Sequence, residues 1–172
     1  MYIDCFDKGN GVFESFDWVE FNKYELNNST NVIRRELSSI EGDGDNTTGT
    51  NSYVIRHPDW NHLTFDNDYA LIILDEPVYD IPVLRLMNDT DDPLSDDQEL
   101  EVIGWGATGE GESLSNKPLS ATVHYVTNER CTDGNQFNYT PGEITSNMIC
   151  AADVLETQDA CQGDSGTYVV HF

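Results

Sequence analysis

Basic residues are scarce in this chain: 8 Lys and Arg stand against 32 Asp and Glu in 172 residues, a formal net charge of −24. That deficit argues against nucleic acid or an anionic membrane surface as partner, because both are polyanions. What remains is a solubilising acidic surface, or a field that draws in basic peptides. Long apolar runs are absent too, and with 38% hydrophobic residues no segment reads as a transmembrane span. The first residues, Met-Tyr-Ile-Asp-Cys, offer neither a basic region nor an apolar stretch, so no signal peptide is expected there. Cysteine is limited to Cys5, Cys131, Cys150 and Cys161. Without C-x-x-C spacing these four argue against a zinc site. No internal repeat is found.

A chain of this length buries one good core, so a single domain is expected, built as two lobes. Apolar alternation or short apolar runs predict strands near Trp18–Leu26, Tyr53–Arg56, Ala70–Leu74, Leu100–Trp105, Leu119–Val126 and Thr167–Phe172. One brief helix is expected from Asn128 to Cys131. Many short strands separated by Gly, Asn, Asp and Pro clusters predict an all-β sandwich or barrel, and pattern alone does not choose between them. The polar stretch from Asn27 to Ser52 is expected to be one long surface loop, and Asp89–Asp97 a second acidic connection. Asn27, Asn28, Asn46, Asn88 and Asn138 stand in N-x-[ST] sequons, which mark surface loops and support secretion only weakly.

The densest chemistry lies near the C-terminus, where residues 159–167 read D-A-C-Q-G-D-S-G-T. Taken alone, G-D-S-G is a common surface turn. The longer string resembles the nucleophile loop of trypsin-like serine endopeptidases. The resemblance implies that Ser165 is the nucleophile, activated only when a base takes its proton. It also implies that the backbone N–H groups of Gly163 and Ser165 hold the oxyanion of a tetrahedral intermediate. A second segment, Phe65-Asp66-Asn67-Asp68-Tyr69-Ala70-Leu71-Ile72, resembles the family's triad-aspartate segment, with Asp68 as the acid that orients a histidine. On its own it reads as a strand-entry turn rich in Asp and Asn. Val102-Ile103-Gly104-Trp105-Gly106 and Met148-Ile149-Cys150-Ala151 match as well, so the resemblance runs from about Cys5 to Gly166.

Further roles follow from the resemblance. Asp159, six residues before Ser165, corresponds to the floor of the primary specificity pocket, where a carboxylate selects Arg or Lys through charge-assisted hydrogen bonds; otherwise it is a solvated acid. Gln162 falls at the substrate site beside it. Asp164 corresponds to the acid that pairs with the α-amino group freed on zymogen cleavage. Cys131 and Cys150 correspond to a disulfide closing a short loop. The implied partners are protein or peptide substrates containing Arg or Lys, with secretion as the family's location. No cofactor is implied. The acidic run Glu41–Asn46 stands where many trypsins hold calcium, yet it lacks the terminal bidentate glutamate of an EF-hand loop, so a solvated loop is expected.

The departures matter as much. The family places its triad histidine immediately before a cysteine, and Asp4 occupies that position ahead of Cys5. A carboxylate with a pKa near 4 is a weak base at neutral pH. His57, His62, His124 and His171 are each expected to be structural or solvated. No Ile-Val-Gly-Gly-like segment is present, and Thr167-Tyr168 replaces the family's Gly-Pro. The expected fold is therefore all-β, two six-stranded Greek-key barrels of the trypsin type, both incomplete. Residues 1–93 would form the first partial barrel and 94–172 the second. Open barrels expose strand edges, so aggregation or dimerisation is expected unless missing segments or a partner complete them. Three functions fit: a trypsin-like endopeptidase in incomplete form and poorly active, a pseudoprotease used for binding or regulation, and a non-functional remnant.

Overall fold

The computed structural model describes residues 18–36, 54–87, 93–137, 139–153, 155 and 157–171. Asp4, Cys5, Asn46, Asn88, Asn138 and the acidic run 41–46 lie outside them. The described chain is built from short antiparallel strands and one helical turn. Strand β1 (Trp18–Phe21) pairs with β2 (Ile33–Glu36), and β3 (Val54–Arg56) pairs with β4 (Ala70–Ile72). The largest sheet has four strands in the order β7-β6-β5-β8: β5 is Glu99–Gly104, β6 Leu119–Val126, β7 Cys150–Ala152 and β8 Tyr168–Val170. Neither barrel closes among the described residues.

Strand β5 shows how sequence sets position. Its residues alternate exposure, with Leu100 and Val102 turned inward and Glu99 exposed, as period-two patterning requires. Leu100, Val102 and Val123 pack into one core cluster, flanked by Leu94 and Tyr125. Tyr125 N–H donates to Gln98 C=O and Asp97 N–H to Tyr125 C=O, extending the β5–β6 pairing at that end. A second cluster joins Val126, Cys131 and Cys150. There the helical turn α1 (Asn128–Cys131) starts at Thr127, whose hydroxyl accepts from Arg130 N–H at 3.3 Å, the usual N-cap arrangement. Asn128 Nδ2 donates to Thr145 C=O and Met148 C=O, both at 2.9 Å. The Cys131–Cys150 disulfide expected from the resemblance is present.

The stretch expected to be one loop from Asn27 to Ser52 instead contains β2. Its sequence, Ile-Arg-Arg-Glu, has a single apolar residue and so carries no hydrophobic alternation. Its side chains meet β1 through a cation and a ring face. Arg34 lies opposite Glu20, and its guanidinium sits 3.5 Å from the centre of the Trp18 ring, a cation–π geometry. Strand β1 stops at Phe21, short of the expected Leu26, because Asn22 turns the chain at φ 57°, a left-handed conformation that asparagine tolerates. Before residue 93 the only buried hydrophobic side chain among the described residues is Val19, so the packed core lies in the second half.

Candidate active site

The turn 161–167 hangs between the β5 end and β8. Asp164 N–H donates to Cys161 C=O and Thr167 N–H to Asp164 C=O, each at 3.0 Å. These two turns place Ser165 at an exposed apex. Gly163 takes φ +94° and Gly166 φ +76°, values that glycine adopts without strain. Ala107 N–H donates to Gln162 C=O at 2.9 Å, which ties the turn to the Gly-Trp-Gly segment. Among the described residues neither Gly163 N–H nor Ser165 N–H donates a hydrogen bond.

Asp164 organises this turn. Its Oδ1 accepts from Gly106 N–H at 2.7 Å and its Oδ2 from Cys161 N–H at 2.9 Å. A Cβ at Gly104 would lie 2.0 Å from Oδ1, and one at Gly106 would lie 2.2 Å from Oδ2. The carboxylate therefore fills a slot that only this pair of glycines leaves open. In the described residues Asp164 is held by these two backbone amides, where the resemblance led us to expect an α-amino partner.

Asp159 is exposed, and its Oδ1 accepts from the adjacent Ala160 N–H at 2.8 Å. The resemblance implied a buried pocket floor; the carboxylate sits on irregular backbone between β7 and β8, facing no packed layer among the described residues. The segment leading to it is tied down by Asp153. That carboxylate accepts from Thr157 Oγ1 at 2.6 Å, Thr157 N–H at 2.8 Å, Leu155 N–H at 2.9 Å and Gln158 N–H at 3.1 Å. These bonds, Thr157 hydroxyl first, hold its pKa down to about 2. A depressed carboxylate stabilises the fold above its unfolded pKa near 4 and loses that contribution as pH falls towards 2. Amide protection at Thr157 and Gln158, relative to intrinsic exchange, is thus expected to fall between pH 4 and 2 more than at Val123. An Asp153→Ala chain, which removes the acceptor, should lose protection at these amides even at pH 6; equal protection in the two chains would contradict this anchoring.

Asp68 lies two residues before β4, after a turn in which Phe65 and Asn67 both take positive φ. Its one hydrogen bond among the described residues comes from Trp60, with Nε1 at 3.0 Å from Oδ1. No histidine reaches it there. His57 accepts from Asp59 N–H through Nδ1 and packs on Tyr69 with ring centres 4.8 Å apart. His62 stacks loosely on Trp60, and His124 sits inside β6. Two side chains away, Asp66 links the halves of the molecule: Thr145 Oγ1 and Asn147 Nδ2 donate to its Oδ1 at 2.6 and 3.1 Å. The Thr145 hydroxyl is the main cause holding Asp66 below the usual carboxylate range. Sequence reasoning missed both Trp60 and Asp66. Their signal was weak, an indole and a carboxylate inside a polar turn, each with a partner that only the folded loop supplies. Among the described residues no group of three or more His, Cys, Asp or Glu is arranged to hold a metal ion.

The family model described as Trypsin matches residues 23–171. Trypsin 5G1 of Aedes aegypti is 33% identical over 120 residues, covering 69% of this chain and 44% of its own length. Trypsin-10 of Gadus morhua is 29% identical over 160 residues, 93% of this chain and 64% of its own. The structure of neuropsin, a serine protease expressed in the limbic system of mouse brain, superposes with a TM-score of 0.62 at 22% identity, covering 94% of this chain and 63% of its own. The chain thus spans less than two thirds of each of these proteins, and the last likeness speaks for the trypsin-type double-barrel fold. The chain belongs to the trypsin family of serine proteases.

Proposed function

We propose that this chain is a trypsin-like serine endopeptidase scaffold, built to cleave protein or peptide substrates after Arg or Lys outside the cell, in which turnover is held down by Asp4. Ser165 is the nucleophile, Asp68 the orienting acid, Gly163 and Ser165 the oxyanion donors, Asp159 the selector of basic side chains, and Gln162 a further substrate-binding residue. No cofactor takes part. The single observation that carries the reading is the turn 161–167, whose exposed serine and undonated amides at 163 and 165 are held in place by Asp164. Such preorganised donors, aimed at developing charge, are the larger part of catalysis in acyl transfer. What is wanting is a base. Asp4 stands where the family has histidine, and the described histidines make no contact with Asp68.

The specificity half of the proposal has a direct test. A phosphonate probe carrying an amidine group is expected to label Ser165 faster than an alkyl phosphonate of similar size. Asp159→Ala should erase that preference without changing the alkyl rate. An undiminished preference in the variant would remove Asp159 from the role. A second reading, a pseudoprotease acting as a binding or regulatory module, draws on the same Asp4 observation. It expects no labelling of Ser165 either in the natural chain or after Asp4→His.

A further inference from the structure

We propose that Trp60 is a positioning residue for Asp68: its indole N–H fixes one carboxylate oxygen and leaves the other to meet an imidazole. The inference rests on the reading of Asp68 as the orienting acid. An indole Nε1 is a donor only, so the 3.0 Å contact to Oδ1 has one polarity. Oδ2 carries no hydrogen bond among the described residues. Asp68 is exposed, and an exposed aspartate without a tether rotates freely about χ1 and χ2. A bond from a neutral donor to an ionised acceptor is stronger than one between neutral groups, so one such bond is enough to select a rotamer.

Donor and acceptor belong to one loop, and that loop is closed several times over. His57 N–H donates to Tyr69 C=O at 3.2 Å across its base, and Asn61 N–H donates to Asp66 C=O at 3.0 Å within it. Phe65 N–H donates to Asn61 C=O at 2.7 Å, and Asn67 Nδ2 reaches Asp59 C=O at 3.2 Å. The ring itself is steadied by Arg56, whose guanidinium lies 4.8 Å from the centre of the indole. A cation over the ring face and an anion at its edge suit the charge distribution of an aromatic ring. Arg56, Trp60 and Asp68 thus form a chain of contacts, with the cation on the ring face and the anion at its N–H edge. A tyrosine or phenylalanine of similar bulk would fill the space and offer no N–H at this point.

The test uses the full chain labelled with ¹⁵N-tryptophan, which gives one indole signal each for Trp18, Trp60 and Trp105. Trp60→Phe identifies the relevant signal; should that variant not fold, Trp18→Phe and Trp105→Phe identify it by elimination. In Asp68→Ala this indole is expected to shift and to exchange with solvent about tenfold faster. Asp68→Asn, which keeps an acceptor oxygen, should restore most of the original signal. An indole that ignores Asp68→Ala, or responds equally to alanine and asparagine, overturns the positioning role. The catalytic reading beneath it is judged separately, by whether Ser165 labels faster in an Asp4→His chain and slower again when Trp60→Phe is added. A failure there leaves the spectroscopic result intact, so the two ideas fail independently.

Discussion

Replacing Asp4 by histidine is expected to raise the rate at which a fluorophosphonate labels Ser165 by about 10²–10⁴-fold at pH 7.5, the usual contribution of a positioned general base. The serine-protease triad is itself the type case for that range, so the figure belongs to the class as a whole. The physical argument is short. A serine hydroxyl becomes a competent nucleophile only as its proton leaves, and an imidazole with an ordinary pKa near 6.5 accepts it at neutral pH far better than a carboxylate near 4. Asp68 would orient the new ring through Oδ2, since Oδ1 is taken by Trp60. Adding Ser165→Ala to the Asp4→His chain should return labelling to background. Equal labelling of the natural and Asp4→His chains would show that position 4 does not face Ser165.

The largest effect on stability is expected from the disulfide. Cys131 and Cys150 are 19 residues apart, and by the chain-entropy relation closing a loop of that length stabilises the folded state by about 3 kcal/mol. Both half-cystines also sit in the second core cluster with Val126. The bond therefore joins α1 to β7, which lies at the edge of the four-stranded sheet and is only three residues long. A Cys131→Ala, Cys150→Ala double variant should unfold in urea with a midpoint lower by about 1–3 M, for an m-value of 1–3 kcal/mol/M. Matching midpoints would mean that β7 is held by its pairing to β6 alone.

Much of the architecture was legible in the residues alone. Strand β6 and helix α1 appear at the expected boundaries, Leu119–Val126 and Asn128–Cys131, because Leu119, Ala121, Val123 and Tyr125 alternate along the strand and Thr127 supplies a cap just before the helical turn. Strand β2 was not legible, since its cross-strand contact is Arg34 over the Trp18 ring face, which leaves no periodic apolar trace. Strand β7 was named as a matching segment but not as a strand; Cys-Ala-Ala carries too little β-propensity, and its place comes from pairing with Val126 and from the disulfide.

The candidate site divides along the same line. The turn around Ser165 is contiguous in sequence, so its residues were read directly. The slot that Gly104 and Gly106 make for Asp164 joins segments 58 residues apart. Asp66 reaches 79 and 81 residues along the chain, to Thr145 and Asn147. Such partners become visible only once the loops close. Trp60 is the instructive case: it lies just eight residues from Asp68, yet its role depends on two positive-φ residues that fold the loop back on itself.

The decisive question is whether this serine can cut a peptide without an imidazole beside it. Hydrolysis of an arginyl peptide amide by the purified chain, run beside its Ser165→Ala variant at pH 7.5, measures this most directly. Two traces that coincide with the buffer background are the predicted result. Turnover by the natural chain that vanishes in the alanine variant would contradict it.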